Sequence, residues 1–268
     1  MKALIIASYC SNYEYDHFCE ILECLSFVKP GAELCMFSDK PEYTKNLRRQ
    51  TDRFKKYVVT FHGPFMELEL SAPINSTQYF QTMDACREAF DIYHEFSARS
   101  IVMHTHQRSF PLDEKENLQR NSIETINRIG EMAKLRNVNL LVENVGKEIS
   151  SNMLFNQEEF IELIRNLPVH INGLIDIGHA AINRWDMEQL ISSLKDRIKA
   201  YHIHNNDGSH DSHRPLFEEG TIIVPSSLLP IMEKYTPDAD WILEYAPGEH
   251  ITPELMRSEV EQLLSIIK

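Results

Sequence analysis

The chain has 268 residues and a formal net charge of −13. That length sustains a hydrophobic core without disulfides or a structural metal, and the acidic balance repels nucleic acid and anionic membranes at long range. The five cysteines, at 10, 19, 24, 35 and 86, form no CxxC pair, which fits a reduced, cytoplasmic protein better than a disulfide framework.

In chain order, the opening MKALIIASYC carries an apolar run at 3–7 that reads as a first strand. It is too short for a signal-peptide core, and no later run reaches the length of a bilayer span. Seven further apolar runs read as strands, at 33–37, 57–62, 100–105, 138–143, 171–176, 199–204 and 240–245. Segments with helical spacing and charged faces separate them. Examples are YDHFCEILECLSFV, TQYFQTMDACREAFDIYHEFS, LQRNSIETINRIGEMAKLR, NQEEFIELIRNL and MEQLISSLKDRI. Asn156 ahead of Gln157, Glu158 and Glu159 is an N-cap signal, and Thr252-Pro253 is an N-cap and first-turn pair. No linker-like or low-complexity stretch divides the chain, so residues 1–268 are expected to form a single domain.

Strict alternation of strands and helices predicts a parallel sheet. Eight units in about 250 residues fit a (β/α)8 TIM barrel. A doubly wound open sheet is the competing fold, but ASYCSNYEY after the first strand holds no Gly-rich phosphate loop. The strands share a further feature: they are apolar runs that end in acids or imidazoles. VNLLVEN ends on Glu143, GLIDIGH on Asp176 and His179, and WILEY on Glu244. VVTFHGP, IVMHTH and AYHIHNND carry His62, His104 and His202, and Asp211 and His213 follow in the next loop. A strand-end carboxylate is ordinarily just solvated, and a lone histidine is ordinarily structural. A barrel, however, gathers its strand ends on one face, where active sites sit. Nitrogen and carboxylate oxygen are ligands for Zn²⁺ or Mn²⁺. Nine such groups exceed what one ion uses, which points to one to three divalent ions per chain.

HGPF, ENVG, DIGHA, HIHNNDG with HDSH, and LEY, in this order and spacing, resemble the xylose-isomerase-like barrels. That superfamily contains sugar and sugar-phosphate isomerases and epimerases and the endonuclease IV type of DNA-repair enzyme. The resemblance implies a mononuclear isomerase-type site of Glu143, Asp176, His202 and Glu244. It also implies a trinuclear repair-type site that adds His62 and His104 around a bridging Glu143, and His179, Asp211 and His213 around a third ion. Two departures stand out: RPLFEEG replaces the repair enzymes' GEG motif with one extra residue, and Gly178 stands where they have cysteine.

Two chemistries are implied. In the first, a metal-dependent isomerase or epimerase acts on a carbohydrate, with Glu143 and Glu244 shuttling a proton as acid and base. In the second, a zinc phosphodiesterase attacks in line at the ion cluster. The first is preferred, because HNNDGSHDSH carries no Lys or Arg. Expected substrate contacts are His106 and His204, two positions beyond their candidate ligands, with Arg108 and Lys147 for a phosphate and Phe65 and Trp185 for stacking. A small carbohydrate is the expected partner, with nucleic acid second and membrane excluded.

Overall fold

A computed structural model of the chain describes residues 2–8, 15–37, 40–65, 68–147, 152–246 and 250–267, with Phe65 described by its backbone alone. Eight strands form: β1 Leu4–Ser8, β2 Gly31–Phe37, β3 Val59–Phe65, β4 Ile101–His104, β5 Leu140–Glu143, β6 Ile171–Asp176, β7 Ile198–Ile203 and β8 Asp240–Leu243. Each pairs in parallel with the next, and β8 pairs with β1, so the sheet closes into a barrel. This is the expected (β/α)8 barrel. Closure leaves no free strand edge.

The helices are α1 Tyr15–Cys24, α2 Pro41–Arg49, α3 Thr51–Phe54, α4 Thr77–Glu95, α5 Lys115–Leu135, α6 Gln157–Asn166, α7 Ile177–Ile182, α8 Met187–Leu194, α9 Pro225–Tyr235 and α10 Pro253–Ile266. Both sequence-level caps form. The Asn156 side chain accepts from Glu159 N–H in a full capping box at α6, and Thr252 accepts from Leu255 N–H at α10. No described helix is long and apolar enough to cross a membrane.

The strand period of two decides what fills the barrel. Outward residues such as Phe61, Tyr201 and Trp241 are fully buried in the layer shared with the helices. Inward, Ile5, Val102, Leu141, Leu174, Ala200 and Ile242 form a separate apolar plug. Two residues further along five of those strands stand His104, Glu143, Asp176, His202 and Glu244. One parity therefore sets both features: an apolar layer below and a polar layer at the carboxyl ends above it. Pairing holds the polar layer level, with His104 opposite Glu143 and Asp176 opposite His202.

Candidate active site

Glu143 occupies the centre. It is completely buried, and neither carboxylate oxygen makes a hydrogen bond among the described residues. Four imidazoles surround it. His62 Nε2 is 3.8 Å away, His104 Nε2 3.5 Å, His179 Nδ1 3.4 Å and His202 Nδ1 3.3 Å. His202 Nδ1 also lies 3.1 Å from Glu244, again without hydrogen-bonding geometry.

His202 is aimed from behind. Its Nε2 is bonded at 2.8 Å to Glu33 of β2, which is itself buried and accepts the Thr60 hydroxyl at 2.9 Å. A carboxylate behind an imidazole fixes its tautomer and raises its basicity, so Nδ1 is the atom presented to the centre. Sequence reading missed Glu33. An acid inside the apolar run AELCMF was the available signal.

Asp176 serves two structures at once. As the N-cap of α7 it accepts His179 N–H at 2.6 Å, which explains the three-residue spacing of Asp176 and His179. Its other oxygen takes His204 Nε2 at 3.0 Å. His179 donates Nδ1–H to Asn144 O at 2.8 Å, so Nε2 faces Asp211 Oδ2, also at 2.8 Å. Asp211 and His213 reach this point because the chain doubles back after β7. Asn205 and Arg214 form an antiparallel bridge, and Asn205 Nδ2 ties down Leu216 O and Ile223 O. His213 sits at φ 42°, uncommon for a side-chain-bearing residue. Its Nε2 is 3.3 Å from Asp211 and its Nδ1 is bonded to Glu244 O at 3.1 Å.

Three groups bring one ligand atom per residue within 4.8 Å of one another: His62, His104 and Glu143; Glu143, Asp176, His202 and Glu244; and His179, His204, Asp211 and His213. All nine expected ligand positions are therefore drawn together, with His204 added to the last group. His204 is buried, stacked on His213 with ring centroids 3.8 Å apart. Gly178 makes room for it: a Cβ there would lie 2.0 Å from His204 Cε1.

The charges interlock. Burial raises the carboxyls of Asp176, Asp211 and Glu244, but adjacent imidazoles outweigh it and hold all three below their ordinary values. Burial likewise lowers His179, His202 and His213, yet the carboxylates prevail; His179 and His202 lie well above their ordinary value and His213 at about 9. His104 goes the other way, well down, through burial and then His62, His179 and His202; burial alone takes His106 to about 4.

The expected substrate contacts divide. His106, Arg108 and Lys147 line a cavity that also touches His104, His179 and Asp211. Trp185 lies in the helical layer instead, its ring 5.8 Å from Phe160 of α6. The Phe65 side chain lies outside the described residues.

Residues 24–263 match the family model of the xylose isomerase-like TIM barrel. The chain belongs to that family. It is 27% identical over 154 residues to an uncharacterized protein of Methanocaldococcus jannaschii, a stretch covering 58% of each chain. The fold is similar to D-psicose 3-epimerase with D-tagatose from Clostridium cellulolyticum H10, at 12% identity and a TM-score of 0.77 over 100% of both chains. It is also similar to a protein from Thermus thermophilus soaked with zinc chloride, at 18% identity and a TM-score of 0.68 over 97% of this chain and 98% of that one.

Proposed function

We propose that the protein is a divalent-metal-dependent isomerase or epimerase of a small carbohydrate, with Glu143 and Glu244 exchanging the proton. The observation that carries this reading is Glu143: buried, without a hydrogen bond among the described residues, and ringed by four imidazoles. Buried carboxylate oxygens without a hydrogen-bond donor are costly, and a cation is the partner this donor set fits. Glu143, Asp176, His202 and Glu244 would hold one ion; His62 and His104 with Glu143, and His179, Asp211 and His213, are the further positions. The nitrogen and oxygen donors suit Zn²⁺ or Mn²⁺. When bound, the ion supplies Lewis-acid polarisation of adjacent substrate oxygens, which acidifies the carbon between them.

The remaining work belongs to the chain. Glu143 and Glu244 stand three strands apart around the mouth, on β5 and just past β8, so they approach a substrate carbon from different directions. Glu244, held below its ordinary value, starts ionised and is ready to accept a proton. Glu143, after taking up a proton from solvent, would return it on the other side, and Glu244 would release its own to solvent to close the cycle. The apolar plug beneath closes the floor to water. The epimerase relatives in fold support this reading.

A second reading, a zinc phosphodiesterase of the endonuclease IV type, is favoured by one observation: the groups beyond the first ion position are already assembled, and a single proton transfer does not need them. Glu143→Gln and Glu244→Gln keep shape but remove the proton carrier. Turnover of the best substrate from a ketose and ketose-phosphate panel is expected to fall at least ~10²-fold, with loss of solvent-deuterium incorporation. Unchanged turnover removes both residues from the chemistry. Nicking of an abasic-site duplex, with no deuterium entering any sugar, would select the second reading.

A further inference from the structure

Beside the ligand groups, a cavity of about 290 Å³ opens between the loops that follow β4 and β5. One wall carries His104 and another His179 and Asp211; Arg108 and Lys147 line it as well. Both loops are pinned by buried polar side chains that spend their hydrogen bonds on backbone. Glu69, 1% exposed, accepts the N–H of Gln107 at 3.1 Å and of Arg108 at 2.8 Å, and both the N–H and hydroxyl of Ser71. Asn183 accepts Lys147 N–H at 3.1 Å and donates to Val145 O at 2.9 Å. The roots of the two cationic side chains are therefore fixed next to the reacting centre. Such preorganisation cuts the ordering cost of binding an anion.

Nearby acids do not neutralise that pair. Asp211, the acid of the wall, is bonded to His179 and His213. Arg108 lies 3.6 Å from Glu114, but both partners are about half exposed, and exposed pairs hold weakly. A planar guanidinium grips phosphate oxygens in pairs, and an ammonium adds a point charge.

We infer that Arg108 and Lys147 form a phosphate subsite, so that the substrate is a phosphomonoester of a small ketose or aldose and not the free sugar. This rests on the isomerase or epimerase reading for its chemistry, but the subsite can be tested apart from it. The first measurement is calorimetric titration of inorganic phosphate into the purified, ion-loaded protein and into Arg108→Ala, Lys147→Ala and the double variant. Affinity is expected to fall roughly tenfold in each single variant and to vanish in the double, with Arg108→Lys recovering part of it. The second is steady-state kinetics on matched phosphorylated and free sugars. KM for the phosphate is expected to rise by similar factors with kcat nearly kept, and the preference in kcat/KM for the phosphate over the free sugar to fall accordingly.

Loss of phosphate binding in the double variant, with no sugar turned over by any form, would keep the subsite and remove the isomerase reading. Equal phosphate binding by wild type and double variant would overturn the subsite, placing the anion on the ions. So would equal losses on phosphorylated and free sugars, a preference for sugar acids over sugar phosphates, or a loss confined to abasic-site DNA.

Discussion

Gly178 shows how one missing side chain can set the shape of a centre. His204 fills the space above it, bonded to Asp176 and stacked on His213. Each of those two belongs to a different ligand group. Alanine at 178 would put a carbon 2.0 Å from the imidazole, with α7 backbone on one side and a buried ring on the other. Overpacking of this kind costs about 1–3 kcal/mol. The ring must then leave Asp176. Gly178→Ala is expected to lower the melting temperature and the zinc content measured by elemental analysis. Adding His204→Ala should restore much of the melting temperature but not the zinc. An additive double variant would refute the coupling. This pairing was invisible in the sequence: Gly178 and His204 are 26 positions apart, and only the register of β6 on β7 brings them together. Seven of the nine acids and imidazoles were legible because they stand at the ends of apolar runs, and Asp211 and His213 because they follow one of those ends in a polar loop. Glu33 was not, because an acid in mid-strand reads equally well as a solvated edge residue until closure turns it inward.

At the scale of elements, strand parity and helix caps explain how so much of the barrel could be read. All eight expected strands form, with ends shifted by a few residues. The short helix α7 escaped, because DIGH looks like the tail of a strand. In fact Asp176 ends β6 and caps α7 together. Asn156 announces the cap at α6, and the structure adds its second half: the Glu159 carboxylate accepts Asn156 N–H at 2.7 Å and Lys115 Nζ at 2.8 Å. Burial raises that carboxyl, but Lys115 and the Asn156 N–H outweigh it and the net shift is downward. A lowered carboxyl contributes stability that is present above its ordinary value and lost as pH falls through the folded one. Asn156→Ala is expected to cost about 1 kcal/mol at neutral pH. Glu159→Gln should destabilise at neutral pH and progressively less below about pH 4. Chemical denaturation at both pH values checks this; a Glu159→Gln deficit that persists in acid would contradict it.

Across the whole molecule, the imidazoles and carboxylates would make the proposed ion binding and folding one proton-linked equilibrium. His179, His202 and His213 have folded values above the ordinary 6.5, the last at about 9. Their contribution to stability is complete below 6.5 and is lost as pH rises through the folded values. His104 and His106 have folded values below 6.5, the second at about 4. Theirs is present above 6.5 and lost as pH falls. The ion-free protein should therefore be most stable near pH ~6.5 and weaken on both sides, by linkage between folded and unfolded protonation. An ion needs neutral imidazole, so binding must displace the protons on the three raised histidines. Zinc is then expected to bind more tightly as pH rises from 6 to 9, and to raise the melting temperature most on the alkaline side, where the ion-free protein is losing its protonated pairs. Calorimetry at pH 7 in buffers of different ionisation enthalpy should register net proton release. Two results would break this account. One is zinc binding with no proton released. The other is an ion-free melting temperature that climbs steadily from pH 6 to 9, since three histidines that must shed protons over that range cannot stabilise the fold by doing so.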